Sequence, residues 1–214
     1  MKTIPVLVFA TLVTLRPALR GAESNTNAAR PCCCAAMPAA PEKPLTDKSL
    51  YQLDAEWTQD NGRTVKLSSL RGRPQIVLMF FARCPYACPL LVYQVKQIEA
   101  ALPESLRTRV GFTLVSFDTE RDTPQVLQAY RTEHNLSVAQ WTLLHGDADA
   151  VLDLSALLGV KFRKDANGQF SHSNLITLLN SEGEIAFQQA GLNGDAREMV
   201  RHIEQLLGST PCRH

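Results

Sequence analysis

Long apolar runs and clusters of like charge are both missing from this 214-residue chain. A membrane-spanning helix needs about 18 or more apolar residues, and the apolar run near the N-terminus, residues 4–15, is shorter. The 22 Lys and Arg side chains are spread along the chain and nearly balance the 21 Asp and Glu. With a net charge of +1 and no basic patch, the sequence predicts no nucleic-acid partner.

The N-terminal segment is typical of an export signal. Lys2 precedes the apolar run, and the small residues Gly21-Ala22 follow it, which predicts a signal peptide or an uncleaved membrane anchor over residues 1–22. We therefore expect an exported, periplasmic protein that is either free or associated with the inner membrane. Residues 23–47 are rich in Ala, Pro, Asn and Ser, a composition that predicts a flexible linker.

Four of the six cysteines lie outside the expected domain. Cys32, Cys33 and Cys34 are in the linker, and Cys212 is in the short tail, residues 209–214. The triplet is either an incidental feature of a linker or an auxiliary site that collects metal or forms intermolecular disulfides. The sequence leaves both interpretations open.

The body of the chain, residues 48–208, alternates between apolar runs and amphipathic stretches. It begins with a predicted hairpin, residues 50–55 and 63–66, around the turn Asp60-Asn61-Gly62. Further predicted strands are residues 75–81, 110–117, 141–144, 175–179 and 184–188, and the predicted helices are 90–102, 124–134, 147–158 and 195–207. This order predicts one α/β domain with a central mixed sheet flanked by helices.

The remaining two cysteines have the most informative position in the chain. Cys84-Pro85-Tyr86-Ala87-Cys88 follows the strand at 75–81 and precedes the helix at 90–102. Unpaired amide groups at a helix start favour thiolate over thiol. We expect both sulfurs to face one pocket, where they can form a redox pair or hold a soft metal ion.

Three ordered motifs resemble the Sco/SenC family from about residue 50 to residue 207. They are Phe81-Ala82-Arg83-Cys84-Pro85-Tyr86-Ala87-Cys88-Pro89, then Ser116-Phe117-Asp118-Thr119-Glu120-Arg121-Asp122-Thr123-Pro124, and then His172-Ser173-Asn174-Leu175-Ile176-Thr177-Leu178-Leu179-Asn180. The resemblance implies a thioredoxin-like fold that binds one copper ion, Cu(I) or Cu(II), through Cys84, Cys88 and His172. It also implies a role in assembling the dinuclear copper centre of cytochrome c oxidase, with the copper-receiving oxidase subunit as partner. Other copper chaperones or thiol reductants are further partners to consider.

Two positions depart from the family pattern. Tyr86-Ala87 stands where many members carry an Asp between the cysteines, and Phe117 stands where Val is usual. Neither change removes a ligand, but the first removes a negative charge from the segment between Cys84 and Cys88. Asp118 and Asp122 are interpreted as turn and cap residues rather than catalytic ones.

Two alternatives to a copper chaperone remain at this stage. A thiol-disulfide oxidoreductase needs only the redox pair, with Cys84 as the nucleophile, and does not need His172. A thiol peroxidase, acting through a sulfenic acid, needs an Arg or Thr close to the attacking thiolate to bind peroxide, and Arg83 is adjacent in sequence. His134, His145 and His202 are interpreted as bystanders.

Overall fold

The computed structural model describes residues 44–208, which contain nine strands and five α-helices. The predicted signal, most of the linker, the Cys32–Cys34 triplet, and the tail with Cys212 lie outside the described residues. The strands are β1 (Glu56–Gln59), β2 (Thr64–Lys66), β3 (Gln75–Phe80), β4 (Gly111–Ser116), β5 (Trp141–Gly146), β6 (Phe162–Lys164), β7 (Phe170–His172), β8 (Leu175–Leu179) and β9 (Ile185–Ala190). The helices are α1 (Ala87–Ala101), α2 (Glu104–Arg107), α3 (Pro124–Glu133), α4 (Ala148–Leu158) and α5 (Ala196–Gly208).

Seven strands form one mixed sheet in the order β2-β1-β5-β4-β3-β8-β9. The central strands β3, β4 and β5 are parallel, whereas β8 runs antiparallel to β3 and β1 runs antiparallel to β5. Every residue of β3 and β4 is buried, as expected for central strands covered on both faces. The architecture confirms the predicted thioredoxin-like α/β fold with a central mixed sheet. Within residues 44–208, no helix has both the length and the apolar character needed to cross a bilayer.

The N-terminal hairpin is present, but its first strand lies later in the chain than predicted. Residues 50–52 form a 3-10 turn instead of a strand, because the Ser49 hydroxyl accepts a hydrogen bond from the amide of Tyr51 at 3.2 Å and the Tyr51 side chain is buried. The turn itself is as predicted, with Gly62 at φ 84°, a left-handed conformation that glycine adopts without strain.

Helix starts follow the expected side-chain signals, with one correction. Thr123 caps α3 by accepting from the amide of Val126, and Asp147 caps α4 by accepting from the amide of Ala150. Asp122 does not cap α3, because its carboxylate is turned towards the loop that follows β3.

A second, two-stranded sheet, β6 and β7, was not predicted. Each of its strands has only three residues, too few for an alternating pattern to stand out. Its turn is built by Asp165, whose carboxylate accepts from the amides of Asn167 and Gln169, and by Gly168 at φ 75°. This hairpin carries His172 at its end.

Candidate metal centre

The two cysteines are held by the junction between β3 and α1. The chain leaves the sheet after Phe80, turns through a hydrogen bond from the Cys84 amide to the Phe81 carbonyl at 3.2 Å, and enters α1 at Ala87. Cys88 therefore lies in the first turn of the helix, and its amide donates to the Cys84 sulfur at 3.3 Å. A free helix amide directed at sulfur stabilises negative charge on that sulfur.

His172 joins the cysteines from a distant part of the sequence. Its Nε2 lies 3.6 Å from the Cys88 sulfur, and the ligand atoms of Cys84, Cys88 and His172 all lie within 4.8 Å of one another. The antiparallel pairing of β8 with β3 explains this placement, because Ile176 near the start of β8 lies opposite Leu78 near the end of β3. The segment just before β8 is thus brought next to the end of β3, where the segment that carries the cysteines begins.

A hydrogen bond at Nδ1 of His172 sets the tautomer that leaves Nε2 available to a metal. Nδ1 lies 3.0 Å from the carbonyl oxygen of Ser173, and a carbonyl can only accept. Nδ1 therefore carries the proton, and the lone pair of Nε2 is directed at the sulfur side. A backbone carbonyl behind a histidine is the usual outer partner of a metal-binding imidazole.

The two thiols differ in exposure, and burial shifts the pKa of Cys88. Cys84 is half-buried, whereas Cys88 is buried. Burial, the largest effect, raises the pKa of the Cys88 thiol well above its usual value, although a backbone hydrogen bond at Phe81 opposes the shift. Cys88 is therefore protonated near neutral pH unless a metal or an oxidant displaces the proton, and Cys84 is the thiol that solvent and partners reach.

Aromatic rings support His172 from behind. Phe117 lies 5.1 Å from the imidazole between ring centroids, stacks on Phe162 of β6 at 5.2 Å and contacts Phe170 of β7 at 5.0 Å. Phe81 meets the imidazole edge-on at 6.2 Å. We call these four phenylalanines the aromatic cluster. It fastens the short β6–β7 hairpin to the main sheet and so fixes the histidine.

Asp122 braces the cysteine loop. Its buried carboxylate accepts from the amide of Ala82 at 2.7 Å and from the hydroxyl of Ser116 at 2.6 Å. Burial raises the pKa of this carboxyl, while the two hydrogen bonds oppose the increase. Asp118 is also buried, and its carboxylate pairs with Arg121 at 2.8 Å. Both aspartates are structural, as expected, but Asp122 acts on the loop and not on the helix that follows it.

The other candidates do not join the cluster. His134 follows α3 as its C-cap, and its ring centroid lies 4.0 Å from that of Tyr130. His202 stacks on Phe187. His145 lies within β5 and not in a turn. The Arg83 guanidinium lies 4.0 Å from the Asp118 carboxylate.

Sequence reasoning missed the aromatic cluster and the Asp122 brace. The only available signal for the first was the pair Phe162 and Phe170 on either side of the turn at Asp165-Ala166-Asn167-Gly168. No local pattern pointed to the second, because Ala82 and Asp122 are 40 residues apart.

The donor set suits a soft metal ion. Metal–sulfur bonds of about 2.3 Å and metal–nitrogen bonds of about 2.0 Å place ligand atoms about 3.5–4.5 Å apart, which the cluster meets with little movement. Within residues 44–208, no fourth His, Cys, Asp or Glu completes the group. Two thiols and one imidazole without a fourth ligand fit copper better than structural zinc, which takes four.

Comparison with known proteins extends these observations. The SCO1/SenC family model matches residues 44–208. The chain is 28% identical over 143 residues to a Stutzerimonas stutzeri protein named "Putative copper-binding protein", covering 65% of this chain and 68% of that protein. It is 24% identical over 147 residues to the SCO1 protein homolog of Bacillus subtilis, covering 66% and 75%.

Solved structures of the same fold include yeast Sco1 with copper bound, at a TM-score of 0.63 and 23% identity over 74% of this chain and 89% of that chain. Bradyrhizobium japonicum ScoI with copper bound has a TM-score of 0.61 and 22% identity, covering 71% and 96%. At these identities the structures establish the fold alone. The family match spans the whole described domain, including the three motifs, and the chain therefore belongs to the SCO1/SenC family.

Proposed function

We propose that this protein is a copper chaperone that holds one ion through Cys84, Cys88 and His172. The observation that carries the proposal is the convergence of two thiols and one correctly tautomerised imidazole within 4.8 Å. Two thiolates favour Cu(I), and the imidazole makes the set able to hold Cu(II) as well. The copper-bound state of the yeast and Bradyrhizobium structures supports copper as the metal.

The recipient in this proposal is the dinuclear copper centre of cytochrome c oxidase. Family membership supports that role, and the half-buried Cys84 is where an incoming ligand from the copper-receiving subunit would meet the ion. We further propose that the protein works in the periplasm, either free or anchored by residues 1–22, because the N-terminal sequence has the charged-then-apolar order of an export signal.

Anaerobic Cu(I) titration against a competing chelator tests the ligand set. Cys32, Cys33, Cys34 and Cys212 are first changed to serine, so that the stoichiometry reports this site alone. One tight equivalent is expected, and Cys84→Ser and His172→Ala should each weaken it by about 100-fold. His202→Ala, which alters a histidine on α5, is the matched control and should bind like the parent chain. Native affinity in His172→Ala would refute the assigned ligand set.

A second candidate function is thiol-disulfide exchange. The contrast between half-buried Cys84 and buried Cys88 suits an attacking thiol and a resolving thiol. A disulfide switch has been identified in BsSco, a member of the Sco family whose solved structure shares this fold. The substitution His172→Ala distinguishes the two functions. It should abolish tight copper binding but leave the reduction of a protein disulfide intact.

A further inference from the structure

Three large apolar side chains form an exposed stripe that begins between the two cysteines of the candidate metal site. Leu90 and Tyr93 are three residues apart on α1 and therefore lie on one side of that helix. Tyr86 lies between the two cysteines and immediately precedes the helix. Their exposed fractions are 80%, 51% and 62%. We call these residues the α1 stripe.

The fold does not use the α1 stripe. The opposite side of α1 supplies the buried contacts with the sheet, through residues such as Cys88, Leu91 and Val95. Isolated exposed apolar residues are ordinary, but a contiguous group beside a reactive site marks an interaction surface. Tyrosine is especially suited to such surfaces, because its ring is apolar and its hydroxyl remains satisfied by water or by a partner.

Exposed cationic side chains lie near the candidate metal site, outside the α1 stripe. Arg83 precedes Cys84, and its side chain is 55% exposed. Lys161 and Arg163 are exposed, and together with His172 they line an open depression of about 330 Å³ on the β6–β7 hairpin. Neither forms an ion pair within residues 44–208, whereas neighbouring Lys164 is paired with Glu120 at 2.5 Å. Lys161 and Arg163 are therefore unpaired cations at the rim of the site, whereas the Arg83 guanidinium lies 4.0 Å from the Asp118 carboxylate.

The size of the α1 stripe indicates a transient complex. Side chains of this kind bury about 150–250 Å² each, so the stripe offers about 400 Å² at the exposures observed. A stable dimer needs about 800 Å² from each partner. A short-lived encounter, of the kind that transfer reactions use, needs less.

We propose that the α1 stripe docks the copper-receiving protein, and that this partner presents an apolar spot ringed by acidic side chains beside its own metal-binding thiols. This proposal rests on the copper-chaperone function. The apolar contact seats the partner next to Cys84, and the acidic ring pairs with Arg83, Lys161 and Arg163. Tyr86, which is 80% exposed, provides an apolar contact between the two cysteines themselves.

The test uses the full chain with Cys32, Cys33, Cys34 and Cys212 changed to serine and loaded with one Cu(I), and the reduced copper-binding domain of the copper-receiving oxidase subunit as the probe. Binding is measured by calorimetry and copper transfer by stopped-flow spectroscopy. The double variant Leu90→Ser/Tyr93→Ser should bind the probe and transfer copper at least tenfold more weakly, with unchanged Cu(I) affinity. Leu157→Ser is the matched control, because Leu157 is 53% exposed and lines a cavity with Leu50 and Ile185, at the sheet end opposite the cysteines.

Charge provides an independent measurement. Raising the salt concentration should slow transfer from the native chain, because the attraction between opposite charges is screened. The double variant Lys161→Glu/Arg163→Glu should be slower at low salt and should lose most of that salt dependence. Native rates in the stripe variant, or equal slowing by Leu157→Ser, would overturn the proposal.

Failure of this proposal is distinguishable from failure of the chaperone function. If the native chain binds one copper through its three ligands but neither binds the probe nor transfers copper to it, the docking proposal is overturned and the copper site stands. If sedimentation shows a native dimer that the stripe variant loses, the occupant is a second copy of the chain, and the proposal is again overturned.

Discussion

Phe117 offers the sharpest test of how the fold positions the site. Its side chain is only 2% exposed, and its ring contacts Phe162, Phe170 and His172 at centroid distances of 5.2, 5.0 and 5.1 Å. Replacement by valine removes four carbons from this contact. We expect His172 to lose its support while every ligand is retained.

The expected magnitude follows from the buried carbons. At about 0.8 kcal/mol for each buried methylene-sized group, Phe117→Val should lower the free energy of unfolding by about 3 kcal/mol, and the lost ring pairs should add about 1 kcal/mol. The matched control is Phe112→Val, because Phe112 is fully buried in β4 and stacks on Trp141 at 5.0 Å, away from the cysteines. It should lose a similar amount.

Copper affinity separates the two variants. Phe117→Val should weaken Cu(I) binding by about tenfold, the range typical of lost outer support for a ligand, because the three-residue strand that carries His172 loses its anchor. Phe112→Val should leave the affinity within about twofold. Urea denaturation of the metal-free proteins and chelator competition measure the two quantities. Equal copper affinities in the two variants would refute the idea that the aromatic cluster fixes the histidine.

Three further predictions concern the thiols and the brace. Iodoacetamide should label Cys84 at least tenfold faster than Cys88, measured by peptide mass spectrometry, since burial raises the pKa of Cys88 and restricts its access. Because binding must displace the Cys88 proton, apparent Cu(I) affinity should rise with pH across the neutral range, by up to about tenfold per unit for that proton. A flat profile would contradict the raised pKa. Asp122→Ala leaves the Ala82 amide and the Ser116 hydroxyl without their acceptor. It should lower the free energy of unfolding, measured by thermal denaturation, by about 3 kcal/mol. Asp122→Asn, which keeps an acceptor oxygen, should cost less.

Local signals explain what could be predicted of the fold. The apolar run over β3 followed by helical periodicity located the cysteine pair at the junction between β3 and α1, although α1 begins three residues earlier than predicted. The cap of α3 was predicted at Asp122, whereas the neighbouring Thr123 provides it. The first strand of the hairpin was misplaced, because Leu50 and Tyr51 have strand-like character while their burial and the Ser49 cap produce a 3-10 turn.

The sequence by itself thus determined the order, along the chain, of the strands in the main sheet and of the four longer helices, the cysteine pair at a helix start and the family, because periodicity, capping and motif spacing act over a few residues. The resemblance implied His172 as the third ligand, but only the tertiary structure showed that its ring lies beside the two cysteines. His172 lies 84 residues from Cys88 and reaches it because β8 pairs antiparallel with β3. The aromatic cluster and the Asp122 brace likewise join distant segments. Such contacts depend on how strands are ordered in the sheet, and no local pattern of residues encodes that order.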